Sequence, residues 1–298
     1  SFIYKYFYVN LALIAMTTMK KLIPFLSFLY FSCNTGNLTI IAELPETLNE
    51  VSGIEQTPNS DVYWMINDHG NTPIIFGVNL SGEIQQRLII NTNNHDWEDL
   101  ASDEEGNIYI GDFGNNHNKR KNLSILKISN KSLNSSKKID AKTISFYYPE
   151  QTKFPPKHSE RHFDCESFLF FKDSLFLFTK SRDHKNIGKT NLYKIPANEG
   201  HHKAQYISTF YTKGDIGSWV TSADINSSGN KVVLLTEKSI LMFSNFKSSN
   251  FFTGTLTEIP FNFMSQNESV IFKNDSTLFI TDEKSRKSEG NFYHLILE

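Results

Sequence analysis

Acidic residues recur at comparable places along the chain, each at the start of a short apolar segment. They are Glu50, Glu98, Glu166, Asp224 and Glu268, one for each of five repeated groups of segments. Carboxylates that converge raise one another's pKa, and burial adds to that cost, so a counter-charge is required. Calcium suits such a site because it takes many oxygen ligands. The spacing therefore predicts an acidic ring that binds Ca²⁺, or else a structural ring whose acids accept backbone N–H bonds from neighbouring repeats.

A second set of polar residues follows the next apolar segment of the first two repeats. Asp68, His69 and Asp112 are the candidate catalytic residues there, with Glu98 and Asp99 as further metal ligands or general bases. Basic residues that could hold an anionic substrate are Arg120, Lys180 and Arg182. Together these types predict a calcium-dependent hydrolase of phosphate or other esters. His69 could instead belong to a turn, because Gly70 and Asn71 follow it.

Two tryptophans favour a different class of function. Trp97 and Trp219 each come shortly before the first segment of a repeat, where they could stack on a sugar or another planar ligand. This arrangement predicts a noncatalytic protein that binds a small molecule, a glycan or a protein. Cys165 lies on an apolar segment and is predicted to be a small buried residue. The chain shows no paired His or Cys spacing of the kind that zinc sites have.

The segments that must position these residues predict an all-β fold. After Gly36 they are short, rich in β-branched and aromatic residues, and bounded by Asn, Asp, Ser, Gly or Lys. They fall into sets of four, which is typical of β-propeller blades. The fifth set is one strand short, and 38–44 would complete it. We predict five blades closed by this N-terminal strand, with six blades as the alternative if 131–162 hides another.

Three motifs carry a family resemblance. They are Asn67-Asp68-His69-Gly70-Asn71, Asp96-Trp97-Glu98-Asp99-Leu100-Ala101 and the run from Ile108 to Asn116. They resemble a poorly characterised family of exported bacterial β-propellers that is loosely similar to phytase-like and esterase-like propellers. The resemblance implies the propeller fold over most of the chain, and it carries no settled activity.

The N-terminal region predicts export. Met19-Lys20-Lys21, an apolar run over 22–31 and Ser32-Cys33 resemble a lipoprotein signal peptide of the Bacteroidetes type. The resemblance implies cleavage before Cys33 and lipid attachment to that cysteine, with 1–18 as an upstream extension and 33–298 as a single propeller domain. We therefore expect a cell-envelope protein, on the periplasmic or outer-membrane face, that meets the membrane only through its lipid. The alternative, a membrane-spanning anchor, is disfavoured because lysines interrupt the apolar run.

Composition bounds the remaining possibilities. A chain of 298 residues with 39% hydrophobic residues can bury a large core as one all-β domain. Its 30 basic and 32 acidic residues leave a formal charge of −2, which gives no electrostatic reason to bind nucleic acid. We expect a monomer without a nucleic-acid partner.

Overall fold

Five sheets follow one another along the chain and form the blades of a β-propeller in this computed structural model, which describes residues 35–135, 138–285 and 290–297. The predicted all-β fold with five blades is confirmed, and the six-bladed alternative is wrong. The predicted signal peptide and Cys33 lie outside the described residues. Among the residues described, no helix combines the length and apolar character needed to cross a membrane.

The strands are numbered β1 to β21 in chain order, and the innermost strand of each blade comes first. Blade 1 contains β2 Val51–Glu55, β3 Tyr63–Asn67, β4 Ile74–Val78 and β5 Ile84–Ile89. Blade 2 contains β6 Trp97–Ser102, β7 Ile108–Asp112, β8 Ser124–Ile128 and β9 Lys142–Tyr147. Blade 3 contains β10 Asp164–Phe171, β11 Ser174–Lys180, β12 Lys189–Pro196 and β14 Gln205–Tyr211.

The last two blades follow the same plan. Blade 4 contains β15 Val220–Ile225, β16 Lys231–Thr236, β17 Ser239–Ser244 and β18 Thr255–Pro260. Blade 5 contains β19 Asn267–Asn274, β20 Thr277–Asp282, β21 Asn291–Ile296 and, from the other end of the chain, β1 Thr39–Glu43. Short 3₁₀ helices connect some strands, at Glu46–Leu48, Asn130–Ser132, His158–Glu160 and Phe251–Thr253.

The propeller is closed by pairing between the two ends of the described chain. Strand β1 pairs antiparallel with β21, with Thr39 opposite His294 and Glu43 opposite Asn291. This confirms the predicted closing strand. Closure covers the edge that a three-stranded last blade would expose. A second connection was not predicted: β13 Gly200–Lys203 runs parallel to β9 and fastens blade 3 to the outer edge of blade 2.

Apolar residues fill the spaces between neighbouring blades. The described part of the chain contains five clusters of buried hydrophobic residues, one for each pair of adjacent blades. Aromatic rings meet edge to face across these interfaces, as for Phe113 and Phe168 with centroids 5.3 Å apart between blades 2 and 3. Both faces of each sheet are therefore buried, which explains why the strands are so rich in aromatic and β-branched residues.

A β-bulge occurs at the same place in every inner strand. The pairing with the second strand shifts by one residue, and the residues at the bulge are Ser52, Glu98, Glu166, Thr221 and Glu268. A bulge reorients the side chains next to it and bends the strand. It also provides a structural register that aligns the five blades with one another.

Polar side chains join the inner strands around the axis. Ser52 Oγ donates to Trp97 O at 2.9 Å, and Thr221 Oγ1 donates to Asn267 O at 2.7 Å. Asp99, which is 1% exposed, accepts from the Ser222 hydroxyl at 3.2 Å and from the Phe168 backbone N–H at 3.4 Å. The buried Asp99 carboxylate thus connects blade 2 to blades 3 and 4.

We expect Asp99→Ala to lower the free energy of unfolding by about 3 kcal/mol, because it leaves the Ser222 hydroxyl and the Phe168 N–H buried without their acceptor. Urea unfolding followed by tryptophan fluorescence measures the change. Glu104→Ala, which removes an exposed acid close to blade 2's inner strand, should cost less than about 0.5 kcal/mol. Equal losses in the two variants would contradict the structural role of Asp99.

Candidate functional site

One end of the propeller carries a concentration of carboxylates. It is the end at which the inner strands begin and the second strands finish, and we call it the mouth. All five blades contribute acids whose charges affect one another's pKa. The set consists of Glu50, Asp68, Asp96, Glu98, Asp164, Glu166, Glu237, Glu268, Asp282 and Glu283.

The predicted ring of five acids is not a single layer. Only Glu98, Glu166 and Glu268 occupy the bulge position; Ser52 and Thr221 hold it in blades 1 and 4. Glu50 lies two residues earlier, is exposed, and accepts a hydrogen bond from Asn71 Nδ2 at 2.6 Å. Asp224 lies three residues beyond its bulge, towards the opposite end of the channel. The sequence repeats matched these acids by residue type, whereas the β-bulge shows which of them occupy equivalent positions in the five blades.

Basic side chains neutralise one side of the mouth. Glu166 pairs with Lys180 and Arg182, each at 3.0 Å, and Arg182 also pairs with Asp164. Burial alone would raise the pKa of Glu166, but these two cations hold it below its ordinary value. The predicted anion-binding residues Lys180 and Arg182 are therefore occupied by the protein's own carboxylates.

Trp219 supports this cationic pair. Lys180 Nζ and Arg182 Cζ lie 4.9 and 5.3 Å from the centroids of its ring system. Its indole N–H is buried and has no hydrogen-bond partner among the described residues. Trp219, which was predicted to stack on a ligand, is thus at the mouth, but Lys180 and Arg182 lie against its ring.

The other side of the mouth has acids without such partners. Glu98 has no hydrogen bond and no ion pair within the described part of the chain. Burial raises the pKa of Glu98, and Glu166, Asp68, Asp96 and Asp164 raise it further. Gly114 leaves room for this arrangement, because a side chain there would overlap both Glu98 Oε1 and the Asp96 carboxylate. Burial also raises the pKa of Glu268, although the charge of Lys180 lowers it in part.

Asp68, His69 and Asp96 form a compact group beside Glu98. One potential ligand atom from each lies within 4.8 Å of the others. His69 Nδ1 is 3.3 Å from Asp68 Oδ2 and 3.8 Å from Asp96 Oδ1. The hydrogen bond with Asp68 raises the pKa of His69, and burial raises that of Asp96 to about 6. The group can hold a cation with oxygen ligands and one exposed imidazole.

Asp112 and Arg120 satisfy each other within their own loop. Asp112 is 2% exposed and pairs with Arg120 Nη2 and His95 Nδ1, both at 2.8 Å. Arg120 also donates to Gly114 O at 2.8 Å. Asp112 and Arg120, predicted as a catalytic residue and a substrate ligand, are thus engaged with each other in an ion pair.

Trp97 is also not part of the mouth surface. Its side chain is fully buried in the core between blades 1 and 2, so it cannot serve as a binding platform. Sequence reasoning in turn missed Asp96 and Asp164, each of which lies two residues before a bulge glutamate. The repeated Asp-x-Glu pattern in blades 2 and 3 was the signal that could have identified them.

Comparison with solved structures agrees with the propeller fold. A gluconolactonase from Xanthomonas campestris is 10% identical, with alignment over 90% of this chain and 93% of its own, and a TM-score of 0.51. A catalytically inactive virginiamycin B lyase from Staphylococcus aureus is 13% identical over 85% of this chain and 69% of its own, with a TM-score of 0.41. Identities this low show the fold alone. Known protein families and curated proteins give no match.

The pairing in the Asp112 loop can be tested by removing its cation. We expect Arg120→Met to lower the free energy of unfolding by about 3 kcal/mol, because Asp112 then stays buried without its main partner. Thermal and urea unfolding measure the loss. Lys119→Met changes an exposed neighbour and should be close to neutral. If Arg120→Met is as stable as the parent protein, the arginine is free for a ligand after all.

Proposed function

We propose that the mouth binds a divalent cation, calcium, and through it a ligand that supplies oxygen donors. The observation that carries this proposal is Glu98, whose carboxylate lies among other acids with no cationic partner in the described residues. Removing a carboxylate from water without compensation is costly, and a bound cation would provide that compensation. Asp68, Asp96 and Glu98 would hold the ion.

The donor set favours calcium over other metals. Three carboxylates and one imidazole supply mainly hard oxygen ligands, which Ca²⁺ accepts in flexible numbers. Magnesium requires a stricter octahedral geometry, and zinc sites are richer in His or Cys. A bound calcium ion would accept oxygens of the ligand as well as those of the protein. The proposed ligand is a small molecule, a glycan or a protein segment that reaches the mouth from solvent.

We place this function in the cell envelope. The support is the lipoprotein-like sequence from Met19 to Cys33, which lies outside the described residues. Lipid attached at Cys33 would hold the propeller at a membrane without inserting it. A formal charge of −2 is consistent with a partner other than nucleic acid.

Calcium should stabilise the protein through this site. We expect it to raise the melting temperature by about 5 °C when present at about 100 times its Kd. Glu98→Gln should remove most of this shift and should make the protein more stable than the parent in EDTA, because it relieves repulsion among the acids. Differential scanning calorimetry with EDTA and with Ca²⁺ measures both effects.

Asp224→Asn is the matched control, since it changes an inner-strand acid at the other end of the channel and should keep the calcium-induced rise in melting temperature.

Lower pH provides a second test of the calcium site. Burial raises the pKa of Asp96 to about 6 and that of Glu283 to about 7, so calcium should bind more weakly as these groups gain protons between pH 7 and pH 5. Without calcium the sign is opposite: raised folded-state pKa values make stability fall as pH rises through this range. The proposal would be refuted if neither EDTA nor Ca²⁺ changed the melting temperature of the parent protein.

A second candidate is calcium-dependent hydrolysis of phosphate or other esters. The observation that favours it is His69, an exposed imidazole paired with Asp68 beside the proposed cation. Such an imidazole can move a proton while its carboxylate partner orients it. A cation in this place would polarise the substrate and its attacking water. The gluconolactonase that shares the fold adds lactones to the substrates worth testing.

We expect calcium-dependent turnover of 4-nitrophenyl phosphate, 4-nitrophenyl acetate or gluconolactone if the mouth is hydrolytic. His69→Ala should then lower kcat by about 100-fold, because it removes the general acid or base. His95→Ala is the control, since that imidazole is held by Asp112. Calcium binding without turnover of any of the three would leave ligand binding as the function and exclude hydrolysis of these classes.

A further inference from the structure

The end of the channel opposite the mouth opens into a cavity of about 910 Å³, which we call the lower cavity. Residues of all five blades line it, including the turns that connect the first and second strands of blades 1 and 4. This volume falls within the range of about 300–1,000 Å³ that is usual for small-molecule sites. The lower cavity is therefore large enough to hold a ligand of its own.

Asp99 separates the lower cavity from the mouth. It lies one residue beyond the bulge of β6, and its hydrogen bonds join three inner strands at that level. Asp224 and Glu55 each lie three residues beyond their bulges, on the far side of Asp99. The two ends of the channel are thus two distinct places for a ligand.

Glu55 and Asp224 lie together in the wall of the lower cavity. Glu55 is 8% exposed. Burial raises the pKa of Glu55, and the charge of Asp224 raises it further. Burial also raises the pKa of Asp224, to about 7. Each acid would be stabilised in its ionised form by a cation placed between them.

The described residues provide no such cation. Neither acid has an ion pair among them, although two lysines line the same cavity. Lys273 Nζ donates to Tyr63 OH at 3.0 Å and to Gln56 Oε1 at 3.3 Å. Lys172 Nζ lies 4.8 Å from the centroid of the Phe171 ring. Asp103, which lines both the lower cavity and an adjoining cleft, has by contrast its own cation, with Lys127 Nζ at 3.1 Å.

Aromatic side chains form another part of the wall. Phe170, Phe171 and Phe272 line the lower cavity and are each only partly buried. The face of an aromatic ring attracts cations and also packs against apolar groups. Carboxylates and aromatic rings in one cavity suit a ligand that combines a positive charge with an apolar body.

Few carboxylate oxygens are available to coordinate a metal ion. Asp224 accepts the backbone N–H of Ile225 at 2.7 Å with one oxygen and that of Phe272 at 2.6 Å with the other. Glu55 Oε1 accepts the Gln56 N–H at 2.6 Å. Calcium requires about six to eight oxygen ligands, whereas an ammonium group needs only two or three acceptors.

We propose that the lower cavity binds an organic cation, an ammonium or guanidinium group on an aliphatic or aromatic body, with Glu55 and Asp224 as its acceptors. The site is independent of the calcium site at the mouth. Binding would favour the ionised forms of both acids, so a proton that they hold near neutral pH is released to the buffer.

Benzylammonium is the probe for this site, and benzyl alcohol is its neutral counterpart. We expect calorimetric titration of the purified protein to show benzylammonium binding about tenfold or more tighter than benzyl alcohol, because charge-assisted hydrogen bonds are lost with the alcohol. Titrations at pH 7 in PIPES and in ACES, which have different ionisation heats and do not precipitate calcium, should show proton release. Saturating Ca²⁺ should change neither result.

Two variants locate the bound probe. Glu55→Gln should weaken benzylammonium binding about tenfold and remove most of the proton release, since one charged acceptor is lost. Glu98→Gln changes the mouth alone and should leave the affinity unaltered. The proposal is overturned if Glu98→Gln rather than Glu55→Gln weakens binding, if benzyl alcohol binds equally well, or if the parent protein binds neither probe. It is also overturned if Glu55→Gln removes calcium binding, because the calcium site would then lie in the lower cavity and not at the mouth.

Discussion

The free inner edge of each blade is the constraint on which the rest of the molecule depends. An inner strand pairs with only one strand of its own blade, so polar backbone groups on its axial side must find other partners. Serine, threonine and aspartate side chains provide them, as in the bonds from Ser52 to Trp97 O and from Phe272 N to Asp224. Polar residues near the axis therefore divide into those that the propeller uses and those that remain for a ligand.

At the mouth, charge neutralisation also distinguishes the acids that the fold uses from those that remain for a ligand. Lys180 and Arg182 serve Glu166 and Asp164, and Trp219 holds the two cations in place. No equivalent basic residue reaches Glu98 among the described residues. A chain whose formal charge is only −2 can thus still leave acids at the mouth without a cationic partner, because its basic residues pair with other carboxylates. This local imbalance, and not the overall charge, indicates what the mouth can bind.

The architecture could be predicted from sequence because each blade repeats the same short, apolar strands between polar turns. The closing strand followed from the missing fourth strand of blade 5. β13 could not be predicted, since Gly200-His201-His202-Lys203 has no strand-like pattern and pairs only because blade 2 offers an outer edge. The candidate site was predicted in part: the bulge, which the sequence does not reveal, sets which acids share a layer and places Asp224 elsewhere. The burial of Trp97 depends on packing between blades 1 and 2, which the sequence does not show. The ion pair between Arg120 and Asp112 is local, but the residue types alone do not show which acid the arginine meets.

The two ends of the channel differ in how many carboxylate oxygens the fold leaves unoccupied. At the mouth Glu98 lies at a bulge position and accepts no backbone N–H groups from the described residues. At the lower cavity Asp224 does accept them, and both of its oxygens are engaged. An inorganic cation needs several uncommitted oxygens, while an organic cation can bind where fewer acceptors are combined with aromatic walls. An acid three positions further along the inner strand therefore lies at the other end of the channel. The same kind of strand can in this way contribute to two sites of different chemistry on one axis.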